Sequence, residues 1–210
     1  MEFPDVRLLV FAKAPVPGRA KTRLIPALGA RRAALLQWRL AEHTLAMATE
    51  AKLCPVDLWC DPDTRHPFFI HCQRKFGVPL QSQRGADLGR RMYGALTVAL
   101  RQAKGAVLIG TDCPGLNSED LHGAFAALAA GAEVVLVPAE DGGYVLIGVR
   151  CCSWRLFSGI CWGSDQVLQQ TRTRLQMLNW QGKELGPRWD VDRPDDLKRI
   201  EQVYPDLLAI

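Results

Sequence analysis

Val6-Arg7-Leu8-Leu9-Val10-Phe11-Ala12 runs directly into Lys13-Ala-Pro-Val-Pro-Gly-Arg-Ala-Lys-Thr-Arg23. The first stretch is an almost unbroken apolar run, the pattern of a strand covered on both faces. The second has two prolines and a glycine that stiffen an extended loop. Four basic side chains, Lys13, Arg19, Lys21 and Arg23, project from it. In an open parallel sheet, ligands bind beyond the carboxyl ends of the strands, and this loop stands in that position. It is not a P-loop, because the glycine before the lysine is missing, and it is not G-x-G-x-x-G.

Further along the chain, short apolar runs alternate with helical patterns. Strands are expected at 56–60, 78–82, 106–109, 133–137, 144–149, 175–180 and 189–192. Helices are expected at 31–52, 68–76, 88–103, 119–130, 165–174 and 194–204. Asp87 caps the third of these helices, and Gly131 ends the fourth. Strand and helix in alternation make an α/β protein with a mostly parallel sheet. The hairpin-like Asp141-Gly142-Gly143 between two apolar runs points to one antiparallel strand. No linker or repeat interrupts the pattern, so residues 1–210 read as a single domain.

The composition agrees. A chain of 210 residues, 48% hydrophobic and 23% charged, is neither disordered, collagenous nor coiled coil. A net charge of +4 is too mild to argue for nucleic acid, and no aromatic-plus-basic pattern marks an RNA-binding sheet. The distribution of charge says more. Between Val6 and Ala41 stand Arg7, Lys13, Arg19, Lys21, Arg23, Arg31, Arg32 and Arg39, with no acidic residue. That excess suggests an anionic ligand near this end. Seven cysteines without a C-x-x-C pair read as small buried hydrophobes, Cys60, Cys113 and Cys161 among them, in a reducing compartment. His66, His71 and Cys72 lack the second ligand pair of a zinc site. The run Leu8–Ala12 is too short for a signal sequence and follows two acids, and no run approaches a membrane span. A cytoplasmic protein is expected.

Three segments carry the candidate chemistry. Asp112, in Gly110-Thr-Asp-Cys-Pro-Gly115, stands at a strand end, where a carboxylate holds a divalent ion or caps a turn. Glu140-Asp141-Gly142-Gly143-Tyr144 lets a ligand approach the backbone, or simply turns the chain. Trp189-Asp-Val-Asp192 places two carboxylates two residues apart. If the segment is extended they share a face suited to a metal; alternatively, Asp192 caps the helix that opens at Pro194. No G-x-S-x-G or serine–histidine arrangement supports a nucleophilic triad.

FAKAPVPGRAKTRL (11–24), ADLGRRM (86–92), LIGTDCPGL (108–116), PAEDGGYVLIG (138–148), WGSD (162–165) and WDVDRPDDL (189–197) occur in this order. Together they resemble a bacterial family of glycosyltransferases with the GT-A, nucleotide-diphospho-sugar transferase fold. Some of its members are associated with radical-SAM proteins and arsenosugar biosynthesis. Arg90 and Val137 depart from the family pattern, which more often has Glu and Gly there. The resemblance implies a three-layer α/β/α sandwich. It implies a metal-dependent transferase that uses a nucleotide-sugar donor and a small-molecule acceptor, with Mg²⁺ or Mn²⁺ as cofactor. It places Ala12, Lys13, Pro15, Gly18, Arg19, Lys21, Arg23 and Asp87 at the nucleotide. Asp112 and Asp192 would be metal ligands, with Asp190 competing for the second place. Asp112 and Asp141 would be the catalytic residues, and Gly142, Gly143 and Trp162 would face the sugar or acceptor. The fold also resembles guanylyltransferase-like nucleotidyltransferases, which release pyrophosphate instead. A nucleotide-binding module without chemistry is the non-enzymatic alternative.

Overall fold

The computed structural model describes residues 1–209. Its core is a seven-stranded sheet of β1 (Val6–Lys13), β2 (Val56–Asp61), β3 (Leu80–Ser82), β4 (Gly105–Ile109), β5 (Val134–Pro138), β6 (Tyr144–Val149) and β7 (Gly182–Glu184). The strand order is β3-β2-β1-β4-β6-β5-β7. β1 is central and pairs in parallel with both β2 and β4. β6 alone runs against its neighbours, β4 and β5.

The apolar run of β1 supplies both layers beneath the helices, as strand periodicity requires. Leu8, Val10 and Ala12 enter one cluster with Leu45, Phe68, Phe125 and Leu128, under α1 (Ile25–Glu50), α2 (Pro67–Phe76) and α4 (Ser118–Ala129). Leu9 and Phe11 enter the other with Met92, Leu96, Phe157 and Leu175, under α3 (Leu88–Ala99), α5 (Trp154–Phe157) and α6 (Val167–Leu178). Each buried Leu or Phe contributes about 1.5–3 kcal/mol by leaving water. A third cluster joins Leu24, Leu36 and Leu40 to Trp189, Val191 and Ile200. It fixes the C-terminal segment and α7 (Pro194–Val203) against the start of the chain. A last short helix, α8, spans Pro205–Leu208.

Several expected elements differ. Residues 175–178 continue α6, because Leu168, Thr171 and Leu175 form one buried helical stripe, and Asn179 ends the helix in a left-handed conformation. The strand follows later, as exposed β7 beside β5. Residues 189–192 form no strand; an isolated bridge between Ala139 and Arg188 stands just before them. α3 ends at Ala99, not 103, and α1 begins at Ile25, with its helical geometry broken at Gly29 (φ 77°). Cys60 and Cys113 are buried as expected, whereas Cys161 is exposed.

Candidate functional site

β1 is flanked on one side by β2 and on the other by β4, so the loops leaving β1 and β4 open a crevice at the strands' carboxyl ends. Two cavities lie there. One, of about 280 Å³, is lined by Ala12, Lys13, Arg19, Lys21, Arg23, Asp112 and Asp192. The other, of about 260 Å³, takes in Asp112, Asp141, Gly143, Trp162 and Asp190. Gly110 and Asp112 border both.

Lys21 does not project into solvent as the loop's sequence suggests. Its backbone is left-handed (φ 47°, ψ 46°), uncommon for a non-glycine residue. This turns the side chain inward until only 3% of it is exposed. Its Nζ donates to the Val191 carbonyl at 2.6 Å. It lies 2.6 Å from Asp112 Oδ1 and 3.3 Å from Asp192 Oδ1. The Asp112 contact is ionic rather than an aligned hydrogen bond, so that buried oxygen is left without one. Burial alone would lower the Lys21 pKa, but the two carboxylates outweigh it and the pKa is raised. Because the folded-state value lies above the unfolded one, this stabilisation is complete at neutral pH. It is lost only as pH climbs past the ordinary lysine range.

Two carboxylates therefore converge on one point, where an ammonium now sits. A hard divalent cation takes oxygen ligands and commonly uses one or two carboxylates plus substrate phosphates. Asp112 and Asp192 fit that donor set.

The chain reaches this arrangement through long-range anchors. Arg188 clamps Asp120 of α4 with two bonds, Nε to Oδ2 at 2.8 Å and Nη2 to Oδ1 at 2.5 Å. Val191 N donates to the Asp112 carbonyl at 2.8 Å, and Asp192 N to Asp196 Oδ2 at 2.9 Å. The segment thus crosses the end of β4 instead of adding a strand. Asp190 and Asp192 consequently do not share a face: Asp192 lines the basic cavity and Asp190 the other. Burial, reinforced by Asp141 and Asp192, pushes the Asp190 carboxyl up to about 7.

The other expected site residues divide. Pro15 and Gly18 shape the loop without lining either cavity; Gly18 has φ 79°, and Arg19 N donates to the Val16 carbonyl at 2.9 Å. Asp87 caps α3, accepting from Arg90 N at 2.7 Å, and lines neither cavity. Asp141 Oδ1 accepts from Gly143 N at 2.9 Å, closing the turn. Gly142 supports the wall from behind: its φ is 91°, and a Cβ there would strike the Asp165 carbonyl. Its own carbonyl accepts from Leu168 N at 2.9 Å. Gly142→Ala is expected to cost at least about 1–3 kcal/mol, from the left-handed strain alone, and to loosen the 161–166 loop. Urea unfolding checks the first effect and Trp162 fluorescence the second.

Trp162 stacks on Phe157 (centroids 6.5 Å apart, planes at 26°), and a Cβ on Gly89 would come within 2.6 Å of its Nε1. The glycine of the ADLGRRM stretch is therefore the space the indole occupies. Sequence reasoning missed Gln37, Gln83 and Thr111, which also line the basic cavity. Gln83 Nε2 ties β2 to β1 by donating to Trp59 O (2.9 Å) and Ala12 O (3.3 Å). Isolated glutamines carry no local signal that would have found them.

The fold is that of the nucleotide-diphospho-sugar transferases and cytidylyltransferases. The chain is similar over 96% of its length to a candidate nucleotide-diphospho-sugar transferase from Desulfovibrio desulfuricans G20, of which it covers 89%, at 27% identity and TM-score 0.84. It shares its fold with 4-diphosphocytidyl-2C-methyl-D-erythritol synthase from Anaerococcus prevotii DSM 20548 (11% identity, 95% of each chain, TM-score 0.64). The same holds for Rv0371c of Mycobacterium tuberculosis H37Rv, solved with manganese (18% identity, 95% of this chain and 99% of that one, TM-score 0.57). No curated protein matches the sequence. The chain belongs to the family described as "Uncharacterized protein conserved in bacteria (DUF2064)", whose model matches residues 44–164. No helix among the described residues is long and apolar enough to cross a membrane.

Proposed function

We propose that the protein is a divalent-metal-dependent glycosyltransferase that takes a nucleotide-diphospho-sugar as donor. The observation that carries this reading is the pair of cavities joined at Asp112, one basic and the other apolar with an acidic end. A ligand with its phosphates among Lys13, Arg19 and Arg23 presents its far end to Asp141. Charge-assisted hydrogen bonds from those side chains hold the phosphate oxygens. A divalent ion between Asp112 and Asp192 would supply neutralising charge to the leaving diphosphate. In the transfer, the bond between the sugar carbon and the diphosphate breaks with its electron pair staying on the diphosphate, a bond from an acceptor oxygen forms, and the acceptor's hydroxyl proton passes to solvent. Asp141 has one oxygen committed to its turn, and the other orients a sugar or acceptor hydroxyl. The likeness to the Desulfovibrio protein, and manganese in Rv0371c, support the donor class and the metal. Seven free cysteines, four of them buried, support a reducing, cytoplasmic setting.

A second reading, nucleotidyl transfer, is favoured by the fold shared with a cytidylyltransferase-type synthase. The two are separated by product. Purified protein is incubated with Mg²⁺ or Mn²⁺ and a panel of nucleotide-sugars, and separately with nucleoside triphosphates and phosphorylated alcohols. Release of nucleoside diphosphate from a nucleotide-sugar is expected. Pyrophosphate from a triphosphate would replace the glycosyl reading with the nucleotidyl one. Binding without turnover in every case would leave a nucleotide-binding module.

A further inference from the structure

The second cavity differs from the first in chemistry. Met92, Val145, Ile147 and Trp162 wall it, while Asp112, Asp141 and Asp190 crowd one end, and among the described residues no lysine, arginine or histidine lines it. All the cationic side chains of the site line the other cavity. A phosphate or carboxylate placed here would face the Asp141 carboxylate and the Asp190 carboxyl with no cation among the lining residues, Asp112 alone being paired, to Lys21 at 2.6 Å, and such like-charge juxtaposition is disfavoured. Carboxylates do accept hydrogen bonds from hydroxyls, and an indole face takes the apolar face of a ring. The Trp162 wall stands between Phe157 and the bare Cα of Gly89. At about 260 Å³, the space lies just below the roughly 300–1,000 Å³ of drug-sized sites, which suits one ring.

We infer that this cavity selects an uncharged, hydroxyl-bearing ring and rejects phosphorylated or carboxylated ones. The inference rests on the reading above only for the role of the occupant, which is the donor's sugar or the acceptor alcohol. It also sets this site apart from one built for a phosphorylated second substrate.

The test uses two matched probes that need no nucleotide, phenyl β-glucoside and phenyl β-glucuronide, which differ by one carboxylate. Binding to the full chain at neutral pH is measured by saturation-transfer NMR titration. The glucoside is expected to bind at least about tenfold tighter than the glucuronide, because only the latter brings a carboxylate against the Asp141 and Asp190 carboxyl groups with no lining cation to offset it. Trp162→Ala should weaken the glucoside about tenfold through the lost stacking. Leu88→Lys places a cation at the exposed mouth of the cavity and should shift preference toward the glucuronide. Equal binding of the two probes, no binding of either, or a glucoside titration that neither variant alters would overturn the inference. Nucleoside diphosphates are then titrated separately. If none binds with Mn²⁺, the nucleotide reading fails while the probe results stand. If one binds and its hexose conjugate displaces the glucoside where the diphosphate alone does not, the occupant is the donor's ring. If the conjugate leaves the glucoside bound, the occupant is the acceptor.

Discussion

Asp112→Asn should reduce turnover by about 10²–10³-fold, the scale on which single charge-stabilising groups at a reacting centre act, and abolish the metal dependence of nucleotide binding. The substitution keeps shape and removes one of the two negative charges that converge beside Lys21. Lys21 retains Asp192 and the Val191 carbonyl, so the fold should survive. Because 47% of the Asp112 side chain is exposed, its loss from the ion pair should cost no more than about 1–2 kcal/mol, well under a fully buried pair. Calorimetric titration of nucleoside diphosphate with and without Mn²⁺ checks this. If the metal still tightens binding in the variant as much as in wild type, Asp112 is not a ligand.

Lys21→Glu should have the largest effect on stability, about 3–5 kcal/mol, the usual cost of leaving buried charge uncompensated. The basic run read as a surface loop would imply almost none. The geometry reverses that expectation: the new carboxylate would lie in a nearly closed space against Asp112 and Asp192. For a chain of this size, the loss corresponds to a fall in melting temperature of about 10 °C. Mn²⁺ should recover part of it, since three carboxylates then face one point. Arg19→Glu is the control. It lies on the exposed part of the same loop, so it should leave the ligand-free melting temperature within a degree or so while weakening nucleotide binding. A Lys21→Glu protein melting with wild type would show that the inward ion pair contributes nothing.

Local pattern was a good guide wherever one segment alone sets the outcome. The cap at Asp87 and the strand Tyr144–Val149 appear where the residues place them. The pattern misled at 175–180, where a short, mostly apolar stretch reads as a strand but burial of Leu168, Thr171 and Leu175 on one stripe carries the helix on. It also misled at 189–192, where extended carboxylates suggest a strand but no sheet edge receives them.

The amino-acid sequence by itself determined the α/β sheet and the placement of a basic loop and an aspartate at its carboxyl edge. Hydrophobic periodicity and charge are properties of adjacent residues and need no knowledge of distant ones. Only the tertiary structure decided that Lys21 turns inward to meet Val191, 170 positions away. It also decided that Asp192 joins Asp112 while Asp190 faces the other cavity, and that one cavity is cationic and the other acidic and apolar. These outcomes depend on where the C-terminal segment crosses the sheet. That path is set by Trp189, Val191 and Ile200 packing on Leu24, Leu36 and Leu40, a burial no local window contains.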